Sequence, residues 1–249
     1  MSGLFAHYFN ANHSLLELKG SYMFRLSVLF CGVLAVCSSP SNADESWVSL
    51  FDGKTLDGWK MAEHGKAEYK VVDETIQGTT VDGSPNSFLA SAMDYADFEL
   101  EFEVRVDAEL NSGVQIRSRE KTEADIKNSG GKGLVGRFHG PQVEVEQSPG
   151  QAAYIYGEAT GYGWLSPEPQ QKPEAEHSYM KNGEWNKFRV VAVGARIQTW
   201  INGHPVADLT HDGVYKTHPS GKIGLQVHGI GRGTGPYQVA WKNIRIRER

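Results

Sequence analysis

The chain is poor in cysteine, in long apolar runs and in positive charge. Of its 249 residues only Cys31 and Cys37 are cysteines. Both fall in one N-terminal apolar stretch, so the remainder can form no disulfide and no cysteine-ligated metal site. No apolar run reaches the roughly 20 residues that a spanning helix needs. The net charge is −5, so the chain as a whole carries no basic field that would draw nucleic acid or anionic lipid. There is no His-Glu-x-x-His, no EF-hand loop, no Gly-x-Ser-x-Gly and no Walker loop, and no metal or cofactor is expected. His64, His204, His211 and His218 stand near expected turns without ligand spacing and read as surface histidines.

The N-terminus reads as an address. Arg25 precedes the apolar run Leu26–Val36, and Ser41-Asn42-Ala43 supplies a small-x-small end. This is the pattern of a secretory signal cut before Asp44, with export to the periplasm or the outside. Met23-Phe24-Arg25 is a normal signal opening, which makes Met23 the expected start and residues 1–22 an extension. Residues 44–249 then form one domain, large enough for a single core. A competing reading is acylation at Cys37, because Leu34-Ala35-Val36-Cys37 resembles a lipobox with Val36 where a smaller residue is usual. Without that lipid no stable membrane contact is expected.

What is abundant is glycine, at 28 residues, together with short alternating runs. Phe98–Arg105 places apolar residues on even positions and charges on odd ones. Val114–Arg117, Gln142–Glu146, Lys187–Ala192, Ile197–Ile201, Ile223–His228 and Val239–Ile246 alternate likewise. A period of two means strands with one buried and one polar face. Asp52-Gly53, Asp57-Gly58, Asp82-Gly83, Asn182-Gly183, Asn202-Gly203 and Asp212-Gly213 are the turns between them. No long helical pattern and no internal repeat is found. The expectation is an all-β sandwich or jelly roll of two antiparallel sheets. Glu120–Gly136 and Gly157–Ser178 break the rhythm and read as long loops.

The polar halves of these strands carry Glu99, Glu101, Glu103 and Arg105, then Gln115 and Arg117, Gln142, Glu144 and Glu146, Lys187 and Arg189, Gln198 and Trp200, and Gln226 and His228. If the strands are neighbours in one sheet, these residues form one face. Amides, carboxylates and cations bind pairs of hydroxyls, and an indole covers the C–H face of a sugar ring. For Glu99 to Arg105 alone a solvated lattice of cross-strand ion pairs is the simpler reading. Glu144 and Glu146 lie two apart on one strand, with Cα atoms roughly 6.5–7 Å apart. A close pair drives one carboxyl pKa upward and yields an acid and a base from like residues. It also fits retaining glycosidases, whose carboxyls stand about 5–5.5 Å apart. His139 lies just upstream.

Six segments in order resemble one family. They are Leu50–Trp59 (Leu-Phe-Asp-Gly-Lys-Thr-Leu-Asp-Gly-Trp), Asn111–Arg117, Gly183–Asn186, Trp200–Gly203, Gly221–Gly229 and Trp241–Ile246. Together they are similar to the 3-keto-disaccharide hydrolase domain. The resemblance implies a concanavalin A-like jelly roll with ligands on its concave face. It also implies cleavage of glycosides already oxidised at C3: the ketone acidifies the C2 hydrogen, a base removes it and the C1 substituent leaves by β-elimination. On that basis Glu144 or Glu146 is the expected base or acid, Arg117 the enolate stabiliser, and His139 or His228 a second proton carrier. Gln115, Gln142, Gln226, Glu103, Lys187, Arg189, Trp164 and Trp200 are expected to hold the sugar. Many members carry Glu-x-Gln-x-x-Asp where this chain has Gln142-Val143-Glu144-Val145-Glu146, which leaves the position-by-position roles open. Two other readings stand beside this one: a non-catalytic glycan-binding module on the same face, and an ordinary retaining endo-glycosidase.

Overall fold

The computed structural model describes residues 46–166 and 176–249. The expected leader, with Met23, Cys31 and Cys37, lies outside the described residues. In chain order the elements are β1 (Val48–Ser49), β2 (Trp59–Met61), β3 (Glu68–Val72), β4 (Thr75–Thr79), β5 (Ser87–Ser91), β6 (Phe98–Val106) and β7 (Ser112–Glu120). Then come helix α1 (Glu123–Asn128), β8 (Phe138–Val145), β9 (Ile155–Glu158), β10 (Gly163–Ser166), β11 (Asn186–Val193), β12 (Arg196–Ile201) and β13 (His204–Thr210). Helix α2 (Asp212–Thr217), β14 (Lys222–Val227) and β15 (Gln238–Glu248) follow. The strands form two antiparallel sheets, an all-β sandwich as the alternation requires. Sheet A runs β13-β12-β11-β6-β15-β4-β3, with β1 paired to β15, and sheet B runs β10-β9-β8-β7-β14-β5-β2. Among the described residues no helix is long and apolar enough to cross a membrane.

The core follows directly from the period of two. Phe98, Leu100, Phe102 and Val104 of β6 and Phe188, Val190 and Ala192 of β11 point inward from sheet A. They meet Val114 and Ile116 of β7, Val143 and Val145 of β8, and Ile223, Leu225 and Val227 of β14, all buried. Burying each large apolar side chain contributes about 1.5–3 kcal/mol. Phe102 and Phe188 stack at 5.1 Å.

The stretch Glu120–Gly136 is not wholly loop. Thr122 caps α1, accepting from the Asp125 amide while the Asp125 carboxylate accepts from the Thr122 amide. This reciprocal cap was present in the sequence as Thr-x-x-Asp. The stretch Gly157–Ser178 contributes β10, and its residues 167–175 lie outside the described set.

The single polar face expected from the alternation is in fact two. Strands β6, β11 and β12 belong to sheet A, whereas β7, β8 and β14 belong to sheet B. Their polar residues therefore look out from opposite sides of the sandwich.

Candidate functional site

On sheet B the ladder register lines up two outward rows. One runs Phe88–Gln226–Gly113–Glu144 across β5, β14, β7 and β8. The other runs Ala90–Gly224–Gln115–Gln142–Tyr156–Trp164 across six strands. Glycine is needed where neighbours lean over the backbone. A Cβ at Gly113 would sit 2.5 Å from Cδ of Gln142, and one at Gly224 would sit 2.5 Å from Cε1 of Phe138.

The amides form a connected cluster around one carboxyl. Gln142 Nε2 donates to Glu144 Oε1 at 2.8 Å and to Gln226 Oε1 at 3.3 Å. Gln115 Nε2 donates to Gln142 Oε1 at 3.4 Å, and Asn111 Nδ2 to Glu144 Oε2 at 3.4 Å. All four of Gln115, Gln142, Glu144 and Gln226 are buried. Two atoms of the cluster, Gln115 Oε1 and Gln226 Nε2, have no hydrogen-bond partner. A buried polar atom left unpaired costs about 1–3 kcal/mol, and native folds rarely keep one without a use. One acceptor and one donor left open suit a hydroxyl or carbonyl group of a ligand.

Burial pushes the Glu144 carboxyl up to about 8, against the opposing pull of the Gln142 and Asn111 hydrogen bonds. The charges of Glu146 and Glu158 raise it further. The expected Glu144–Glu146 coupling is thus present, but desolvation is the larger cause. At neutral pH Glu144 is a neutral acid. Glu146 lies just past the end of β8 and accepts from the Gln151 amide. His228 lies one residue past β14, two along from Gln226. Its Nδ1 stands 2.8 Å from the Gly229 carbonyl. A carbonyl only accepts, so Nδ1 carries a hydrogen, and the tautomer this selects has its lone pair on Nε2. Around this group Tyr156 meets Trp164 edge to face at 5.4 Å, and Arg137 pairs with Glu158. Alternation does not mark Asn111, Tyr156, Arg137 or Glu158. Asn111 was within reach, since it opens the Asn111–Arg117 segment.

Several expected site residues lie elsewhere. Arg117 occupies an extra position in β7, where five residues from Gln115 to Arg119 face four from Gln142 to His139. Its φ of 49° is left-handed, as bulges allow. The bulge turns the guanidinium toward sheet A. There it donates to the carbonyls of Ala96 and Gly194, both at 2.6 Å, and to Asp97 Oδ1 at 2.9 Å. Its contacts are with those groups and not with the Gln–Glu cluster, so the structure does not place it to hold an enolate there.

His139 also sits apart from the cluster, paired with His218 at the end of the sandwich. The hydroxyl of Thr217 donates to the Val214 carbonyl, so it accepts from His218 Nδ1 at 2.9 Å. His218 Nε2 then accepts from His139 Nδ1 at 3.2 Å, which leaves His139 Nε2 as an unpaired acceptor. Desolvation holds His139 down to about 3 and His218 down to about 4. His218 is therefore a buried residue and not the surface histidine expected; nothing in its local sequence announces the partner 79 positions away.

Lys187, Arg189, Glu103 and Trp200 stand on the outer face of sheet A. Lys187 pairs with Glu101 at 3.1 Å and Arg189 with Glu99 at 2.5 Å. Glu103 accepts from Asn243 at 2.7 Å, and Arg189 lies 4.2 Å from the Trp200 ring centroid. Of the expected residues, the sheet B face brings together Gln115, Gln142, Glu144 and Gln226, with Glu146, His228 and Trp164 on its borders. Among the described residues no group of three or more His, Cys, Asp or Glu could hold a metal ion.

A two-sheet β sandwich with a buried acid and two open amide atoms on one face has the build of a lectin- and glucanase-like domain. The comparisons agree on the fold. A candidate glycosyl hydrolase from Parabacteroides distasonis ATCC 8503 superposes with a TM-score of 0.54 at 21% identity, over 82% of this chain and 94% of that one. The carbohydrate binding module CBM66 from Bacillus subtilis gives 0.53 at 15% identity, over 77% and 96%. The kappa-carrageenase from Pseudoalteromonas carrageenovora, in complex with an oligotetrasaccharide of kappa-carrageenan, gives 0.54 at 9% identity, over 87% and 99%. No curated protein sequence matches the chain. The chain belongs to the 3-keto-alpha-glucoside-1,2-lyase-like domain family, whose model matches residues 46–247. It is a carbohydrate-active protein.

Proposed function

We propose that the sheet B face cleaves 3-keto-glycosides by elimination across C1–C2. The observation that carries this reading is Glu144, a neutral acid at neutral pH, set in a cluster with the open donor Gln226 Nε2. The ketone makes the C2 hydrogen acidic, and Gln226 Nε2 takes the C3 oxygen as it gains charge, the role expected of Arg117. The base is drawn from His228 Nε2 and Glu146, which border the acid. As the C2–H bond breaks, the C1=C2 double bond forms, the C1–O bond breaks and the Glu144 proton passes to the leaving oxygen. Oε2 of Glu144 carries that proton, because its contact with Asn111 at 3.4 Å is the weaker of the two. Water added to C1 completes a net hydrolysis, and its omission leaves a lyase. Gln115 and Gln142 hold sugar hydroxyls, with Tyr156 and Trp164 beside the ring. Export follows from the leader read in residues 1–43, with acylation at Cys37 as the competing form.

The test is product analysis with a 3-keto-glucoside and the same glucoside unoxidised, using wild type and Glu144→Gln. Cleavage of the keto sugar alone, lost in the variant, supports the reading. Cleavage of the unoxidised sugar makes the protein an ordinary glycosidase. Binding of both without cleavage makes it a glycan-binding module.

A further inference from the structure

The residues that alternation assigned to sugar binding, and that the sandwich sets on sheet A, form a surface of their own. Three of the six tryptophans in the chain, Trp47, Trp185 and Trp200, stand half-buried there. Each ring is flanked by cations. Arg245 and Arg247 lie 4.5 and 4.9 Å from the Trp47 ring, Lys242 and Arg105 lie 4.3 and 5.0 Å from Trp185, and Arg189 lies 4.2 Å from Trp200. Such contacts fix the orientation of an indole at the surface. The register places Trp200, Arg189, Glu101 and Arg245 in one row across β12, β11, β6 and β15, with β1 beyond. Four strand spacings make this platform roughly 19 Å wide.

The charge of this face differs in sign from that of the whole chain. Arg105, Lys187, Arg189, Lys242, Arg245, Arg247 and Arg249 surround Glu99, Glu101 and Glu103. Seven cations against three carboxylates leave four positive charges in excess, on a chain whose total is −5. The carboxylates keep the long cationic side chains ordered, which lowers the entropy lost when they engage a ligand. Within the platform lies a cleft of about 460 Å³ bordered by Trp47, Glu101, Glu103, Lys187, Asn243 and Arg245. Asn243 reaches it from a second bulge, where β15 slips against β6 between Lys242 and Arg245 and φ is 51°.

We propose that the outer face of sheet A is a second ligand site, separate from the Glu144 face, and that it holds an acidic polysaccharide. The indoles offer plates for the C–H faces of sugar rings. The guanidinium groups match carboxylate or sulfate substituents with paired N–H bonds. The interspersed carboxylates and the Asn243 amide suit hydroxyls, and they would repel the unbroken charge of a nucleic acid or an anionic bilayer. The site stands on these residues alone and does not depend on the chemistry proposed for sheet B.

Affinity electrophoresis of the full chain in gels containing alginate, dextran sulfate or neutral dextran, at low and high salt, tests it. Retardation is expected in the two acidic gels only. Trp47→Ala and Trp185→Ala should each weaken it about tenfold, and Arg105→Ser with Lys242→Ser should flatten its salt dependence. Thermal unfolding of each variant checks the fold. Equal mobility in all three gels, or variants that behave as wild type, would overturn the proposal. So would duplex DNA or phosphatidylglycerol vesicles binding as tightly as alginate, because that is simple ion exchange.

Discussion

The two outer faces of the sandwich are built from the same strand chemistry and put to opposite uses. On sheet A every outward carboxylate of β6 meets a cation across the ladder, as Glu99 meets Arg189, Arg247 and Arg249. On sheet B the central carboxyl, Glu144, meets amides only. The first environment drives Glu99 down to about 2: three guanidinium hydrogen bonds together outweigh desolvation, which is the largest single cause and acts upward. The second drives Glu144 up to about 8. Two glutamates on alternating strands thus differ by orders of magnitude in proton affinity because one has cationic neighbours and the other has none. A carboxylate whose charge is matched stabilises a sheet, and one whose charge is left unmatched is available for proton transfer.

The largest effect expected from breaking this contrast is on turnover. Glu144→Gln keeps the shape and loses the proton, so cleavage of a 3-keto-glycoside should fall about 10²–10⁴-fold. The same substitution should strengthen the fold in alkali. The Glu144 pKa is raised on folding, so its contribution is full below the unfolded value near 4.5 and is lost as pH rises through about 8. Denaturant titration at pH 8.5 or so should find the variant more stable than wild type, and a less stable variant would mean that Glu144 is held ionised.

Next in size is Arg117→Met. It strips partners from two carbonyls and from Asp97 and should cost about 3 kcal/mol in chemical denaturation. Smaller again is the effect of the buried histidine pair. Both pKa values are lowered on folding, so their contribution is full above 6.5 and is lost as pH falls toward about 4 and then about 3. Taken with Glu144, this places the stability maximum near pH 6.5, and His218→Gln should shallow the acid side of a melting-temperature profile. The smallest effect is that of Glu99→Gln on sheet A, about 1 kcal/mol at neutral pH after solvent screening of its partners. Its carboxyl is depressed, so its contribution is present above 4.5 and is lost as pH falls through about 2. The variant should therefore lose less stability than wild type between those limits.

The strands themselves were legible, because inward residues such as Phe98, Leu100 and Phe102 announce a period of two without any tertiary information. What the pattern could not say was which sheet a strand joins. Glu101 and Glu144 alternate with apolar neighbours in the same way, and only the order of strands in each sheet sends them to opposite sides. The amide cluster is half visible: alternation sets Gln115, Gln142 and Gln226 on polar faces, but their mutual contact depends on register between strands far apart in sequence. Arg117 shows the limit most directly. Strict alternation sets it beside Gln115 on the polar face, and one inserted residue aims it elsewhere. The His139–His218 pair depends on a contact across 79 positions, beyond any local rule.

That inserted residue also has a mechanical meaning. Arg117 departs from sheet B and fastens to the entry of β6 through Ala96 and Asp97 and to the β11–β12 turn through Gly194, all on the opposite sheet. Apolar packing between two twisted sheets has no preferred direction of slip, whereas three directional bonds from one rigid guanidinium do. The bulge therefore works as a registration pin. It ties one point of sheet B to the entry of β6 and to the β11–β12 turn, so a slip of either layer must break bonds made by a single side chain.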